Sequence, residues 1–365
     1  MPESRLHQLS ALGQSVWVDS LSREWLVTGE LARMMEEDAV VGVTSNPTIF
    51  QKALAEGDWY DEQLRDLNGE EDLKEVFLHL AVRDIQDACD LLRPVWDEGN
   101  GKDGYVSMEV DPNLAHDTAA TIDEATRFHD WIDRPNLYVK IPATAEGLPA
   151  IEEMIARGRN INVTLIFGLD RYGEVAEAYI RGLERLVEGG GDPSTVASVA
   201  SFFVSRVDTE TDRRLDEIGR PELKGKLAIA NAKLASQRCK EIFSGGRWET
   251  LASEGATTQR CLWASTSTKN PEYRDVMYVE ELIGPETVNT MPKETIEAFQ
   301  DHGRVALTLE QDLDVARKLF RDLEATGIDY DDVIATLERE GVQKFADSFR
   351  ELLEGIEAKR QLVRA

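Results

Sequence analysis

The feature that most constrains the fold is an alternation of short β-type runs and helical stretches over nearly the whole chain. The β-type runs are compact and apolar, as is typical of strands buried on both faces of a parallel sheet. They span residues 15–19, 40–44, 105–110, 137–141, 161–167, 195–204, 260–264 and 287–290. Amphipathic segments lie between them, at residues 30–37, 73–92, 122–132, 148–157, 171–188 and 222–243. Because such alternation builds parallel βαβ units, it predicts an α/β protein with a closed (β/α)8 TIM barrel.

The length predicts additions at both ends of the barrel. The chain has 365 residues, whereas a typical barrel of this kind needs about 250. We therefore expect an extra N-terminal helix and a helical C-terminal extension over about residues 295–365, packed on the barrel. Segments 295–302, 309–325 and 330–360 have helical periodicity, with Gly327 and Gly341 as expected helix stops. A further helix is expected near residues 58–67. Since no internal repeat or linker interrupts the chain, we expect residues 1–365 to form a single domain.

The charge and the cysteine and histidine patterns exclude several classes of partner. The chain has 41 Lys and Arg against 69 Asp and Glu, a net charge of −28, which argues against nucleic acid because phosphate binding needs basic surface. The sequence has no run of about 18 apolar residues, so it predicts no membrane span, and residues 1–5 lack a signal-peptide pattern. The three cysteines and five histidines show no disulfide framework and no metal-ligand spacing. We therefore expect a reduced, cytoplasmic protein without a structural metal.

Polar residues stand at the carboxyl ends of the expected strands, where barrel enzymes carry their active sites. They are Asp19, Thr44, Asn46, Glu109, Lys140, Asn162, Thr164, Ser201, Arg206, Ser265, Ser267 and Lys269. Several lie inside apolar runs, where an unpaired polar side chain costs a few kcal/mol. These residues are therefore candidates for a binding or catalytic site.

Lys140 is the most informative member, because β-type apolar residues flank it on both sides. A lysine that faces a barrel interior is desolvated, and desolvation favours the neutral amine that attacks a ketone to form a Schiff base. Such a reaction also needs general acids and bases, which Asp19 and Glu109 would supply. The alternatives are a lysine that points outward between helices or pairs with Glu109 for structure alone, and carboxylates placed near strand ends by chance.

Arg206 is a candidate phosphate ligand, since a guanidinium binds phosphate through two hydrogen bonds. Ser201 would add a hydroxyl donor, and Lys269 a point charge. A salt bridge at the barrel rim is the alternative for a single arginine.

Four segments together resemble the transaldolase family. Residues 42–50 read Gly-Val-Thr-Ser-Asn-Pro-Thr-Ile-Phe, which looks like a family signature, and residues 137–144, Leu-Tyr-Val-Lys-Ile-Pro-Ala-Thr, resemble its Schiff-base lysine motif. Residues 106–112 and 161–167 match two further family strands, and the order and spacing agree across all four. The resemblance covers almost the entire chain, and its length and C-terminal extension look like the longer bacterial transaldolases.

The resemblance implies a class I enzyme of the non-oxidative pentose phosphate pathway that moves a dihydroxyacetone unit from sedoheptulose 7-phosphate to glyceraldehyde 3-phosphate. Lys140 would be the nucleophile, and Asp19 would take the proton of the donor C4 hydroxyl. Glu109 would act through a water held with Thr164, and no step would need a metal or an organic cofactor. The remaining implied contacts are Asn46 and Asn162 to the dihydroxyacetone hydroxyls with Thr44 and Ser201 nearby, and Arg206, Ser267 and Lys269 to the phosphate.

One departure and several alternatives remain at this point. Many family members carry arginine where this chain has Lys269, and lysine cannot bind phosphate through a planar fork. An aldolase that releases free dihydroxyacetone would use the same chemistry. A non-catalytic sugar-phosphate binder would keep Arg206 but has no use for a buried Lys140, and a metal-dependent lyase or isomerase lacks clustered ligands. Phosphorylated sugars are the expected partners, and the chain is expected to be a monomer or a homodimer.

Overall fold

Eight parallel strands form a closed barrel within the described residues, each paired with its neighbours in chain order, with the last strand beside the first. The structure is a computed structural model that describes residues 4–364, so residues 1–3 of the N-terminal stretch discussed above, and residue 365, lie outside it. The strands are β1 (Gln14–Val18), β2 (Val40–Thr44), β3 (Tyr105–Glu109), β4 (Leu137–Pro142), β5 (Ile161–Ile166), β6 (Ser198–Phe203), β7 (Arg260–Ala264) and β8 (Thr287–Met291).

Helices precede, connect and follow the strands. In the described range they are α1 (Arg5–Ala11), α2 (Arg23–Thr28), α3 (Glu30–Glu37), α4 (Pro47–Ala55), α5 (Asp61–Asp66), α6 (Leu73–Glu98), α7 (Thr118–Ile132), α8 (Gly147–Ala156), α9 (Leu169–Glu188), α10 (Ser205–Glu217), α11 (Leu227–Ile242), α12 (Gly246–Ser253), α13 (Met277–Glu281), α14 (Lys293–His302), α15 (Leu313–Ala325) and α16 (Tyr330–Arg364). Short 3-10 turns lie at Pro112–Leu114, Pro193–Thr195 and Pro221–Leu223. The predicted (β/α)8 barrel, with an extra N-terminal helix and C-terminal helices, is confirmed.

The strands form where the sequence is apolar because both of their faces are covered. All residues of β4, β5, β6, β7 and β8 are buried, since alternate side chains point into the barrel and toward the surrounding helices. Helix α9 shows the matching pattern, with Tyr172, Val175, Tyr179 and Leu183 buried at helical spacing. The core therefore fills two layers, one inside the barrel and one between strands and helices.

Several predicted boundaries differ from the structure; the helix expected over residues 73–92, for example, continues to Glu98. Two others are wrong because short turns precede the elements. The strand expected over residues 195–204 begins only at Ser198, since the Asp192 side chain accepts a hydrogen bond from the Ser194 backbone N–H and starts a 3-10 turn. The helix expected over residues 222–243 begins at Leu227, after a second 3-10 turn and the left-handed Gly225 (φ +68°). Both turns contain a proline, which favours the first position of such a turn.

Gly341 was expected to stop a helix, and this prediction is wrong: α16 continues through it. A Cβ at Gly341 would lie 3.2 Å from a methyl carbon of Leu165 and 3.3 Å from the Phe167 ring. The glycine therefore lets α16 approach the end of β5 closely. Gly327, by contrast, follows α15 with φ +87°, as a helix stop should.

The two ends of the chain pack on the barrel. Helix α1 contacts β1 and α14, with Leu6 and Leu9 buried. Helix α16 contacts α4, α5, α6 and α10. The Thr48 hydroxyl donates a hydrogen bond to Ser348 Oγ over 2.9 Å, which fixes α16 to α4. The last helix therefore lies across the end of the barrel where the strands finish.

The described residues contain no membrane-spanning helix, no cluster of metal ligands and no disulfide. No helix between residues 4 and 364 is long and apolar enough to cross a membrane. That same range contains no group of three or more His, Cys, Asp and Glu side chains placed to hold a metal ion. The three cysteines are free thiols, with no disulfide among the residues described.

Candidate active site

A cavity of about 550 Å³ opens at the carboxyl ends of the strands. Nine of the eleven residues to which the family resemblance assigns a role line it: Asp19, Thr44, Asn46, Lys140, Thr164, Ser201, Arg206, Ser267 and Lys269. The other two, Glu109 and Asn162, lie beside lining residues. Because parallel strands end at one mouth of the barrel, residues distant in sequence meet there.

Lys140 lies inside the barrel, in the middle of β4. Its Nζ donates a hydrogen bond to the backbone carbonyl of Ser45 over 3.0 Å and lies 3.3 Å from Glu109 Oε2. The two side chains are only 6% and 5% exposed. The lysine therefore faces the cavity rather than the outer helices, and its charged form has one buried counter-ion.

Asp19 follows β1 directly and is held by a hydroxyl chain. The Thr44 hydroxyl donates to Asp19 Oδ1 over 2.7 Å, and Thr44 and Thr290 hydroxyls are 2.6 Å apart. Since Thr44 has one proton, Thr290 is the donor to Thr44. Burial raises the pKa of the Asp19 carboxyl, while the charge of Lys140 and the hydrogen bond from Thr44 oppose that rise. A carboxylate with a raised pKa is a stronger base than an exposed one.

Glu109 and Thr164 each carry a buried oxygen without a hydrogen-bond partner among the described residues, Oε2 of Glu109 and Oγ1 of Thr164. Burial raises the pKa of the Glu109 carboxyl, and Lys140 opposes the rise.

Thr164 precedes an irregularity in β5, where Leu165 has φ +58° and the pairing with β6 shifts register. A bulky residue in the left-handed region is strained, and such a bulge redirects the neighbouring side chains. The strand is thus distorted at a residue of the site.

The two asparagines have different freedom to bind a ligand. Asn46 caps α4, with its Oδ1 accepting from the Ile49 backbone N–H over 3.1 Å, so its amide NH2 group remains for the cavity. Asn162 is fully buried, donates to Ser107 Oγ over 3.1 Å and accepts from Ser201 Oγ over 2.6 Å. Ser201 lines the cavity itself, whereas Asn162 does not line it and orients the Ser201 hydroxyl through their hydrogen bond.

Arg206 lies near the start of α10 between two aromatic rings. Its Cζ is 5.1 Å from the centre of the Phe203 ring and 5.6 Å from that of Phe345. No ion pair or hydrogen bond to another described residue occupies its guanidinium. Burial lowers its pKa, and Asp19 and Glu109 oppose the shift. An oriented but unpaired guanidinium in a cavity is suited to bind an anion.

Two other predicted residues lie on the loop after β7. Lys269 Nζ donates to Ser267 Oγ over 2.7 Å, and both line the cavity. Ser265, at the start of this loop, has φ +56°, another strained residue next to the site.

Several cavity residues were not expected from the sequence. They are Lys52 on α4, Thr290 on β8, and Gly341, Lys344 and Phe345 on α16. Asn46 followed by Pro47 is a helix-start signal that could have revealed α4. The three α16 residues recur at helical spacing, but nothing in the sequence indicates that this face covers the barrel.

Comparisons with known proteins show the family to which the chain belongs. The family model described as Transaldolase/Fructose-6-phosphate aldolase matches residues 16–356. A protein named Transaldolase from Frankia alni is 55% identical over 353 residues, 95% of each chain. Proteins of the same name from a Parafrankia species and from Thermobifida fusca are 54% and 52% identical and cover 96% and 97% of both chains. The chain belongs to the transaldolase/fructose-6-phosphate aldolase family.

Proposed function

We propose that this protein is a transaldolase, an enzyme that transfers a dihydroxyacetone unit from sedoheptulose 7-phosphate to glyceraldehyde 3-phosphate, giving erythrose 4-phosphate and fructose 6-phosphate. The observation that carries the proposal is the buried pair of Lys140 and Glu109 beside Asp19, in a cavity whose mouth holds an unpaired Arg206. The names of the relatives support the same reaction and the non-oxidative pentose phosphate pathway.

In the first step the neutral amine of Lys140 attacks the C2 ketone of the donor. The carbonyl oxygen takes up a proton, leaves as water after a second proton transfer, and an imine to Nζ remains. Glu109 is placed to move these protons through a water bound to its Oε2 and to Thr164 Oγ1, two buried oxygens that have no hydrogen-bond partner among the described residues. The positive charge of the imine then replaces that of the lysine opposite Glu109.

In the second step Asp19 accepts the proton of the donor C4 hydroxyl. The C3–C4 bond breaks, its electron pair moves toward the imine nitrogen, and the aldehyde leaves while an enamine stays on Lys140. Thr44 binds one oxygen of Asp19, and the other is available to the substrate hydroxyl. The raised pKa of Asp19 suits a group that must take up a proton during this cleavage.

Substrate binding uses the two ends of the cavity. The amide of Asn46 and the hydroxyl of Ser201, held by Asn162, face the dihydroxyacetone hydroxyls near Lys140. Arg206, Ser267 and Lys269 bind the phosphate at the mouth. Because the ammonium of Lys269 acts as a point charge, Arg206 is the residue of these three that can bind the phosphate through two parallel hydrogen bonds.

Addition of glyceraldehyde 3-phosphate to the enamine and hydrolysis of the new imine complete the transfer. An aldolase would instead protonate the enamine and release free dihydroxyacetone; the relatives' printed name favours transfer. None of these steps routes through a metal or an organic cofactor. A cytoplasmic location and a monomeric or homodimeric state stay predictions.

Borohydride trapping tests the proposal. The protein is incubated with fructose 6-phosphate, reduced, and digested for mass spectrometry. We expect a dihydroxyacetone-derived adduct on Lys140, and in single turnover Asp19→Asn should form the imine with fructose 6-phosphate but cleave it at least about 100-fold more slowly, as loss of a general base does. No adduct, or an adduct on Lys269, would refute the assignment, and unimpaired cleavage in Asp19→Asn would remove Asp19 from its role.

A further inference from the structure

Besides Lys140, four cations from four different elements line the cavity of the candidate active site. Arg206 is the second residue of α10 and Lys269 follows β7, while Lys52 lies on α4 and Lys344 on α16. The first two already belong to the proposed phosphate site. Lys52 and Lys344 have no role in the chemistry described so far.

These two lysines lack partners in a chain that is rich in acids. With 69 Asp and Glu against 41 Lys and Arg, most basic side chains can find a carboxylate. Neither Lys52 nor Lys344 forms a side-chain ion pair or hydrogen bond within residues 4–364. Two acidic residues besides Asp19 line the same cavity. The carboxylate of Glu210 is bound by Arg213 and Arg214. Glu340, one turn before Lys344 on α16, forms no ion pair with either lysine in the described part of the chain. The cavity lining therefore holds more basic than acidic side chains.

The four charges are close enough to repel one another. The charge of Arg206 is the main cause that lowers the pKa of Lys344, followed by burial. Burial lowers the pKa of Lys269, and Arg206, Lys344 and Lys52 lower it further. Like charges held together destabilise the unliganded state, and a dianionic group bound among them removes that repulsion. The same cations locally reverse the sign of a surface whose net charge of −28 repels sugar phosphates.

The position of Lys344 is fixed by its neighbours. Phe345, the next residue on α16, is buried with its ring 5.6 Å from Arg206 Cζ. Gly341, one turn earlier, packs against Leu165 and Phe167 at the end of β5. Helix α16 is thus held against the cavity on both sides of Lys344, whose flexible side chain can reach an anion there.

We infer that Lys344, assisted by Lys52, binds the phosphate end of the substrate and makes the site selective for phosphorylated over unphosphorylated ketoses. This inference rests on the proposed function and adds two specificity residues to it. It makes the last helix of the chain part of the active site rather than only a cover for the barrel. We expect the effect to be on capture, because Lys140 Nζ contacts Ser45 and Glu109 and neither of these two lysines.

The test is Lys344→Gln, measured with fructose 6-phosphate and with unphosphorylated fructose as donors. We expect KM for fructose 6-phosphate to rise about 5- to 10-fold, which corresponds to about 1–1.4 kcal/mol, with kcat within about twofold of wild type, because one of several cations that contact the phosphate is lost. The dependence of kcat/KM on salt should weaken. Fructose should react equally with both proteins, and Lys344→Arg should restore KM.

Arg350→Gln is the matched control, because Arg350 is on the same helix, is exposed and does not line this cavity. It should behave as wild type. The inference is wrong if Lys344→Gln has the same KM as this control, or if it impairs fructose and fructose 6-phosphate equally. A wild-type protein that forms no Lys140 adduct with either sugar would instead overturn the proposed function, and the inference with it.

Discussion

Replacing Lys140 with methionine removes the nucleophile and keeps an unbranched side chain in the barrel. Turnover should fall to background, a loss of about 10⁶-fold or more, the lower range of enzymatic rate enhancements. The substitution also leaves Glu109 buried without its counter-ion. At a separation of 3.3 Å and an effective dielectric constant of about 20, the lost attraction is about 5 kcal/mol, close to the 3–5 kcal/mol typical of a broken buried pair.

The carboxyl can avoid much of this cost by taking up a proton. Burial already raises the pKa of Glu109, and Lys140 is the main group that opposes the rise, so its removal raises that pKa further. A group whose pKa is raised on folding stabilises at low pH, and the stability is lost as pH increases through the folded-state value. Lys140→Met should therefore be close to wild type in stability at pH 5 and less stable by about 3 kcal/mol or more at pH 8.

Thermal unfolding of wild type, Lys140→Met, Glu109→Gln and the double variant at pH 5 and pH 8 measures this coupling. The double variant carries no buried charge from either residue, so it should recover most of the stability that Lys140→Met loses at pH 8. Equal destabilisation of Lys140→Met at both pH values would refute the electrostatic explanation, and so would a double variant no more stable than Lys140→Met.

Two further predictions concern α10. Burial raises the pKa of Asp208 to about 7, although the Ala228 N–H and the Tyr278 hydroxyl bind it. The Asp208 carboxyl therefore contributes to stability at low pH, and this contribution is lost as the pH rises from about 4 to about 7. The free energy of unfolding of Asp208→Asn relative to wild type should rise by up to about 4 kcal/mol over that range. Denaturation curves that show a constant difference would contradict this. Tyr273 donates to Asp212 over 2.5 Å, joining the loop after β7 to α10. Because this hydrogen bond positions the loop that carries Lys269 against the helix that carries Arg206, Tyr273→Phe should weaken phosphate binding. Loss of about 1 kcal/mol should raise KM for phosphorylated donors about fivefold, and an unchanged KM in steady-state assays would exclude this positioning role.

The barrel was predictable because its strands are dense apolar runs in strict alternation with amphipathic helices. The strand-end polar residues were predictable for the same reason, since closure of a parallel barrel brings them to one mouth. Lys140 is the clearest example, being a charged residue in an otherwise apolar strand. Two of the boundaries that failed lie at proline-containing turns, where local hydrogen bonds such as that of Asp192 compete with the longer element.

Other parts of the site could not be read from the sequence. Lys52 and Lys344 are exposed lysines on amphipathic helices, and only the packing of these helices over the barrel turns them toward the cavity. Asn162 is held by Ser107 and Ser201, partners on two other strands. Gly341 looked like a helix stop because close approach to Leu165 depends on tertiary structure alone.

The placement of α16 also has a consequence for how the protein is made. The eighth strand ends at Met291, whereas Gly341, Lys344 and Phe345 belong to a helix that begins at Tyr330 and docks on α4, some 300 residues earlier in the chain. At about 5–20 residues per second, synthesis of residues 292–345 takes roughly 3–11 s after the last strand. During that interval the barrel is open to water above Lys140, and efficient capture of phosphorylated substrates should appear only after these residues have left the ribosome. A stalled or truncated chain would therefore carry the reactive lysine without the wall that captures its substrate.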